Sequence, residues 1–161
     1  MDLRGELVIR DFLPSDAEDL KRFWIELAKE MYNIEGYIVP STKNAEAWLS
    51  HVLKEVEEAR MEILVAQKGE ESVGFILLAY TTDERFETAT TMAVIHDMYV
   101  KPNHRGLGIG TMLMKECMRK AEEKGVKQVR LSVLSENVEA VKFYKRHGFN
   151  VYRYGMRKGI S

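Results

Sequence analysis

The chain has 161 residues, of which 45% are apolar and 30% charged, a composition typical of one globular domain and not of a disordered segment. Its 24 basic and 25 acidic side chains nearly balance, which argues against a nucleic-acid partner. Because apolar runs are shorter than the ~18 residues of a membrane span and residues 1–6 lack the apolar core of a signal peptide, we expect a cytoplasmic protein with no membrane partner. We predict a single domain over residues 1–161.

The first part of the chain predicts one strand and one long helix. Residues Glu6–Phe12 alternate in the manner of a strand, and the turn and cap residues 14–16 favour a helix that begins near Ala17. Five apolar residues at three- and four-residue spacing give this helix a core face: Leu20, Phe23, Trp24, Leu27 and Met31. The stretch Asn33–Ser41, with its glycine and proline, interrupts the helix.

A second helix and three strands follow. The helix is predicted over Thr42–Arg60, with an apolar stripe formed by Ala45, Trp48, Leu49, Val52 and Val56. Met61–Lys68 and Val73–Tyr80 are apolar runs separated by Gly-Glu-Glu-Ser, the spacing of an antiparallel hairpin. The charged connection Asp83–Glu87 then precedes a strand predicted over Ala89–Val100.

The last third alternates helices and strands. A helix over Gly108–Lys124 presents one apolar face, formed by Ile109, Met112, Leu113, Cys117 and Ala121. We predict a strand over Val126–Leu134, a helix over Glu136–Arg146 and a final strand over Phe149–Arg157. Antiparallel meanders and a βαβ-like unit must coexist in this order, so the predicted fold class is α+β, or mixed α/β.

The stretch from Asp97 to Thr111 is typical of a phosphate-binding turn. A β-branched strand breaks at a proline, passes through glycines 106, 108 and 110 and becomes helical. Glycines allow close backbone approach, and the next helix directs free N–H groups and its positive end at an anion.

Two known types of glycine turn do not fit this spacing. A P-loop requires a lysine after its last glycine, but Thr111 follows Gly110. The dinucleotide fingerprint requires its third glycine one place later and usually follows a first strand. The remaining pattern is Arg-x-x-Gly-x-Gly, with Arg105, Gly108 and Gly110 in its fixed positions.

This pattern resembles the acetyl-CoA loop of the GNAT superfamily of N-acetyltransferases. A second stretch, residues 137–149, resembles that family's N-x-x-A-x-x-F-Y-x-x-x-G-F signature, with Asn137, Tyr144 and Phe149 in place. The resemblance implies a twisted mixed sheet that splays near Val100 and Leu134 and opens a cleft for the pantetheine arm.

The resemblance also implies how acetyl-CoA is held. Arg105 and the amides of the glycine loop would bind the pyrophosphate, main-chain groups after Asp97 would pair with pantetheine, and Asn137 would either cap its helix or meet the pantetheine arm. A bulge near Met98 would leave one amide free for the thioester carbonyl. The implied binding residues are Met98, Tyr99, Val100, Arg105, Gly106, Leu107, Gly108, Ile109, Gly110, Thr111 and Asn137.

Amine acetylation requires a base and an acid. An alkyl ammonium has a pKa of about 10.4, so a base must remove its proton, and His96 and Asp97 are the candidates at the implied position. Strand alternation predicts that only one of them faces the cleft, and the alternative role for the pair is structural hydrogen bonding. Tyr144 matches the position of the hydroxyl that protonates the thiolate; its alternative role is core packing.

Two other chemistries are disfavoured. Cys117 lies on the apolar stripe of its helix, so we predict a buried structural thiol and not a nucleophile. His51, His104 and His147 lack metal-ligand spacing, so no metal is expected.

The sequence therefore predicts an acetyl-CoA-dependent N-acetyltransferase that uses direct attack in a ternary complex. The acceptor, a small amine, a polyamine or a protein amine, depends on Tyr32–Ser41, Asp83–Glu87 and the carboxyl terminus. The alternative is a non-catalytic acyl-CoA-binding sensor domain. Because few residues follow Phe149, the last sheet edge would be left open, and we predict a homodimer through this segment.

Overall fold

A computed structural model describes residues 5–82 and 91–160 of the chain. Its elements, in chain order, are β1 (Leu7–Asp11), α1 (Ala17–Glu35), α2 (Thr42–Glu57), β2 (Met61–Lys68), β3 (Glu71–Thr82), β4 (Thr91–Val100), α3 (Ile109–Glu123), β5 (Val129–Leu131) and α4 (Val138–Arg146). The predicted connection Asp83–Glu87 and the start of the predicted strand at Ala89 lie outside the described residues. Across the described ranges, no helix combines the length and apolar character that crossing a bilayer requires.

The five strands form one mixed sheet in the order β1-β2-β3-β4-β5. The first four are antiparallel neighbours, and β5 runs parallel to β4. This arrangement confirms the α+β fold class. The β4–β5 pairing covers only Ala93–Ile95 against Val129–Leu131, so the two strands are no longer paired beyond Ile95. The loss of pairing there gives the sheet its cleft.

The sheet separates two apolar cores. On one face, α1 and α2 pack against side chains that include Val65, Phe75 and Leu77. On the other face, α3 packs against side chains that include Leu64, Ile76 and Leu78. Because β2 and β3 are covered on both faces, their sequences are continuous apolar runs and do not alternate. Each fully buried side chain of this size contributes about 1.5–3 kcal/mol.

Helix ends differ slightly from the predicted ones. Helix α1 continues past Asn33 to Glu35 and ends at Gly36, whose φ of 82° suits glycine and whose amide donates to the Tyr32 carbonyl over 2.9 Å. Helix α2 begins after Ser41, whose Oγ accepts a hydrogen bond from the Asn44 amide at 3.2 Å, and ends at Glu57 before the predicted Arg60.

Of the two strands predicted near the carboxyl terminus, one is shorter than predicted and the other does not form. Of Val126–Leu134, only Val129–Leu131 forms a strand, because β4 diverges from the residues that follow. The predicted strand Phe149–Arg157 is wrong: these residues form no strand, and Tyr154 and Met156 are 85% and 95% exposed. Their alternation suits a strand, but a strand also needs a neighbour, and the described part of this chain supplies none.

Candidate active site

A β-bulge at His96 organises the site. Leu78 pairs with Ile95 and Leu77 pairs with Asp97, so His96 is an extra residue on β4. Before the bulge, Ile95 packs in the core beneath α3; after it, Tyr99 packs in the core beneath α1 and α2. The bulge therefore lies two residues before the predicted position near Met98.

The cleft begins where β4 and β5 separate and has a volume of about 680 Å³. It contains nearly all the predicted site residues: His96, Asp97, Met98, Tyr99, Val100, Arg105, Gly106, Gly108, Ile109, Gly110, Thr111, Asn137 and Tyr144. Both members of the His96–Asp97 pair line it. Leu107 does not line it, and its side chain is 62% exposed.

The glycine loop has the backbone expected of an anion site. Gly106 and Gly108 have φ angles of 76° and 82°, in the region that favours glycine. Gly108 is the N-cap of α3, so the free amides of the first turn of this helix lie at the cleft. A Cβ on Gly108 would meet no atom within 4 Å, which leaves space for a ligand against the backbone. These residues fit the pyrophosphate of acetyl-CoA.

Arg105 links the two sides of the cleft. Its Nε donates to the Val100 carbonyl at 2.8 Å, its Nη2 lies 2.7 Å from Oε1 of Glu30 on α1, and its guanidinium stacks over the Tyr99 ring at 5.5 Å. Glu30 also lines the cleft and was not identified from the sequence. An exposed glutamate on a helix carries no sequence signal for a contact with a distant loop.

Asp97 is hydrogen-bonded to the second helix. The indole Nε1 of Trp48 donates to its Oδ2 at 3.1 Å, and the Trp48 ring stacks on that of Trp24 with centroids 6.0 Å apart. Burial raises the pKa of the Asp97 carboxyl above its ordinary value, against smaller opposing effects of the Trp48 hydrogen bond and the nearby His96. His96 itself is exposed at the bulge.

Tyr144 and Asn137 are positioned by α4. Burial, together with the negative charge of Asp97, raises the pKa of the Tyr144 phenol. Its ring packs edge-to-face on Phe143 and Phe149, with centroids 5.4 and 5.9 Å away. Oδ1 of Asn137 accepts from the Ala140 amide at 3.3 Å, which confirms the predicted cap, and Asn137 also lines the cleft.

Cys117 is a buried structural thiol, as predicted. Its side chain has no exposed surface, and burial raises its pKa to about 12. In residues 5–82 and 91–160, no group of three or more His, Cys, Asp or Glu side chains is placed to hold a metal.

One wall of the cleft consists of apolar residues whose pattern predicts only a core face. Trp24, Leu27 and Met31 of α1 line the cleft together with Ile38, which follows this helix. Their helical spacing predicts a buried face, and a ligand-facing stripe has the same pattern. No sequence signal separates the two.

Known proteins resemble this chain in sequence and in fold. An uncharacterized N-acetyltransferase of Methanocaldococcus jannaschii is 30% identical over 142 residues, which is 88% of this chain and 59% of that protein. The chain thus spans less than two thirds of this relative's length. The thialysine N-epsilon-acetyltransferase of Sus scrofa is 46% identical over 54 residues, 34% of this chain and 32% of that protein.

A mutant of a protein from Bacillus halodurans has the same fold, with a TM-score of 0.84 and 19% identity over 96% of this chain and 99% of that one. The model of the acetyltransferase (GNAT) family matches residues 18–149, which include both signatures and most of the cleft. The chain therefore belongs to the GNAT acetyltransferase family.

Proposed function

We propose that this protein transfers the acetyl group of acetyl-CoA to a primary amine by direct attack in a ternary complex. The observation that carries the proposal is that a glycine loop at a helix N-terminus, a carboxyl with a raised pKa and a phenol with a raised pKa line one cleft. We place the reaction in the cytoplasm.

Each residue has a defined proton to move. Asp97 accepts one proton from the acceptor ammonium, and its raised pKa makes it a stronger base than an ordinary aspartate. The free amine nitrogen bonds to the thioester carbonyl carbon as the carbon–sulfur bond breaks. Tyr144 gives its proton to the departing sulfur and is restored by the second proton of the nitrogen. We assign the base to Asp97 and not to His96 because the His96 side chain is exposed.

We propose that the acceptor carries its amine at the end of an alkyl chain. The thialysine acetyltransferase of Sus scrofa, by its name, modifies such an amine, although it matches only part of this chain. The apolar wall formed by Trp24, Met31 and Ile38 suits the methylene groups of a lysine-like side chain or a polyamine.

We also propose a homodimer that forms through the carboxyl-terminal segment. This segment exposes Val151, Tyr152, Tyr154 and Met156, with 60% to 95% of each residue accessible. A second copy offers the same alternating segment, and two such segments can pair as strands.

A panel assay tests the proposed function. The protein is incubated with acetyl-CoA and each of thialysine, lysine, polyamines and a peptide with a free amino terminus, and the acetylated amines are identified by mass spectrometry. We expect acetylation of at least one alkyl amine. Stoichiometric acetyl-CoA binding with every amine unmodified would instead favour an acyl-CoA sensor.

A further inference from the structure

The hydrogen bond between Trp48 and Asp97 joins elements that are far apart in the sequence. Trp48 lies near the middle of α2, Asp97 lies on β4, and they are 49 positions apart. Apart from Trp48, the apolar stripe of α2 supplies only carbon to the core. The indole N–H of Trp48, in contrast, has a polar partner, Oδ2 of Asp97.

The bulge makes this contact possible. In a regular strand, residues two positions apart share a face. If His96 were an ordinary paired residue of β4, Asp97 would therefore share a face with Ile95, beneath α3 and away from α2. The bulge turns Asp97 to the side on which α2 packs. The fold thus combines a strand irregularity and a tryptophan to fix one carboxylate.

The Trp48 ring is itself held on two sides. It stacks on Trp24 at 6.0 Å and meets the Phe75 ring edge-on at 5.8 Å. A ring fixed by two aromatic neighbours directs its N–H without further loss of rotamer freedom. The donor is therefore preorganised toward the carboxylate.

We propose that Trp48 is a positioning residue for acyl transfer: its indole N–H holds Oδ2 of Asp97, so that Oδ1 is presented to the acceptor ammonium. The assignment rests on the proposed function, in which Asp97 takes the proton. Trp48 itself neither accepts nor donates a proton in the reaction. It also stabilises the ionised carboxylate, the form that acts as a base.

Several ionisable side chains near Asp97 could also contribute to a pH titration of the cleft. His96 precedes it on β4, α4 brings Tyr144, and α2 contributes the uncharged Trp48. The remaining ionisable side chains that line the cleft are Glu30, Tyr99, His104, Arg105, Glu139 and Arg146, of which Glu30 and Arg105 form an ion pair.

An NMR titration tests the contact in the unmodified protein. The chain contains two tryptophans, so its indole N–H spectrum has two signals, and Trp48→Phe assigns them. We expect the Trp48 signal to shift as Asp97 ionises and to lose this transition in Asp97→Asn. A Trp48 signal that does not respond to Asp97 would overturn the proposal, whether or not the protein acetylates any amine.

Kinetics test the positioning role. Trp48→Phe keeps a ring against Trp24 and Phe75 but removes the N–H, so we expect kcat to fall about tenfold, as for loss of a charge-assisted hydrogen bond. The Trp48 hydrogen bond favours the ionised form of Asp97, so its loss should raise the Asp97 pKa. The acidic limb of the pH profile of kcat for Trp48→Phe should therefore move to higher pH. An unchanged acetyl-CoA KM and melting temperature would exclude a merely structural effect.

A double-mutant cycle completes the test. In an Asp97→Asn background, Trp48→Phe should change kcat less than twofold, because the group through which Trp48 acts is gone. A full tenfold loss in that background would show that Trp48 acts by another route. If neither parent nor variants transfer acetyl groups, the proposed function fails, while the NMR titration still decides the contact.

Discussion

The ring of Phe143 lies against the backbone of Gly110, so close that a Cβ on the glycine would stand 3.2 Å from Cε2 of the ring. The same Cβ would lie 3.3 Å from the terminal methyl of Met98. The first turn of α3, the strand β4 and the helix α4 therefore meet at one point. A side chain at position 110 would therefore press on Phe143 and Met98, whereas one at position 108 would enter open space.

Because Gly108 faces open space in the cleft, a large side chain at position 108 should interfere with ligand binding. Gly108→Trp should abolish acetyl-CoA binding, because its side chain would fill the space beside the free amides. The matched control is Gly125→Trp, since Gly125 also has a positive φ, 69°, and open space around it, but does not line the cleft. Both variants should lose about 1–2 kcal/mol of stability from backbone strain.

Calorimetry with acetyl-CoA distinguishes the two variants. Loss of binding in the Gly108 variant alone is the expected result. Retained affinity in a folded Gly108→Trp protein would remove the glycine loop from the binding site.

Tyr144→Phe should lower kcat roughly 10²-fold and leave acetyl-CoA affinity nearly unchanged, because the phenol acts in the transition state. Since burial raises its pKa, the hydroxyl stays protonated through neutral pH and beyond the ordinary tyrosine value of about 10. Steady-state kinetics and calorimetry measure the two quantities. The control is Tyr154→Phe, at an exposed position; turnover equal in both variants would return Tyr144 to a packing role.

The ion pair between Glu30 and Arg105 predicts an increase in affinity. Glu30→Gln removes a negative charge from the lining of the cleft and leaves the Arg105 guanidinium free, so acetyl-CoA should bind about threefold more tightly at low salt. Arg105→Ala should weaken binding. Glu26→Gln, whose carboxylate pairs with Lys29, serves as the control. Tighter binding that persists unchanged at high salt would contradict the electrostatic explanation.

Much of the fold was predictable because it depends on local periodicity. The three- and four-residue spacing of α3 is typical of a helix, the runs that form β2 and β3 are short and bounded by a turn, and the glycine motif marks its own junction. The lack of a strand at Phe149–Arg157 was not predictable, since strand formation there depends on a neighbouring strand and not on alternation alone. The Trp48–Asp97 contact was hidden for a related reason: spacing places Trp48 on the buried face of α2 but says nothing about its indole N–H.

Asp16 predicts a pH dependence of stability. Its buried carboxylate accepts from Arg10 at 2.7 and 2.9 Å and from the Leu13 amide at 2.7 Å. Burial raises its pKa, but the Arg10 and Leu13 hydrogen bonds and the Arg10 charge outweigh this, so the net pKa lies below the ordinary value. The stabilisation is therefore complete above about pH 4 and is lost as the pH falls through the folded-state pKa.

Asp16→Asn should lower the free energy of unfolding by about 2 kcal/mol at neutral pH. Urea unfolding measured from neutral to acidic pH checks both the size and the direction, and the difference between variant and parent should shrink in acid. Glu18→Gln is the control, because the Glu18 side chain is 75% exposed. A difference that stays constant into acid would show that the Asp16 charge is not the cause.

Truncation after Tyr152 tests the proposed homodimer. It removes the exposed Tyr154 and Met156, and we expect the protein to sediment as a monomer at micromolar concentration, whereas the full chain sediments as a dimer. Full-length protein that is monomeric would contradict the proposal. A dimer that survives truncation would place the interface elsewhere.

The burial of Cys117 has a practical consequence for measuring turnover. The proposed transfer from acetyl-CoA would release one free thiol per cycle, and the only cysteine of the chain is fully buried with its pKa raised to about 12. The enzyme therefore contributes almost no thiolate to a chromogenic disulfide reagent. Such a reagent can be present from the start of the reaction, so a continuous optical trace against a flat baseline reports each catalytic cycle as it occurs.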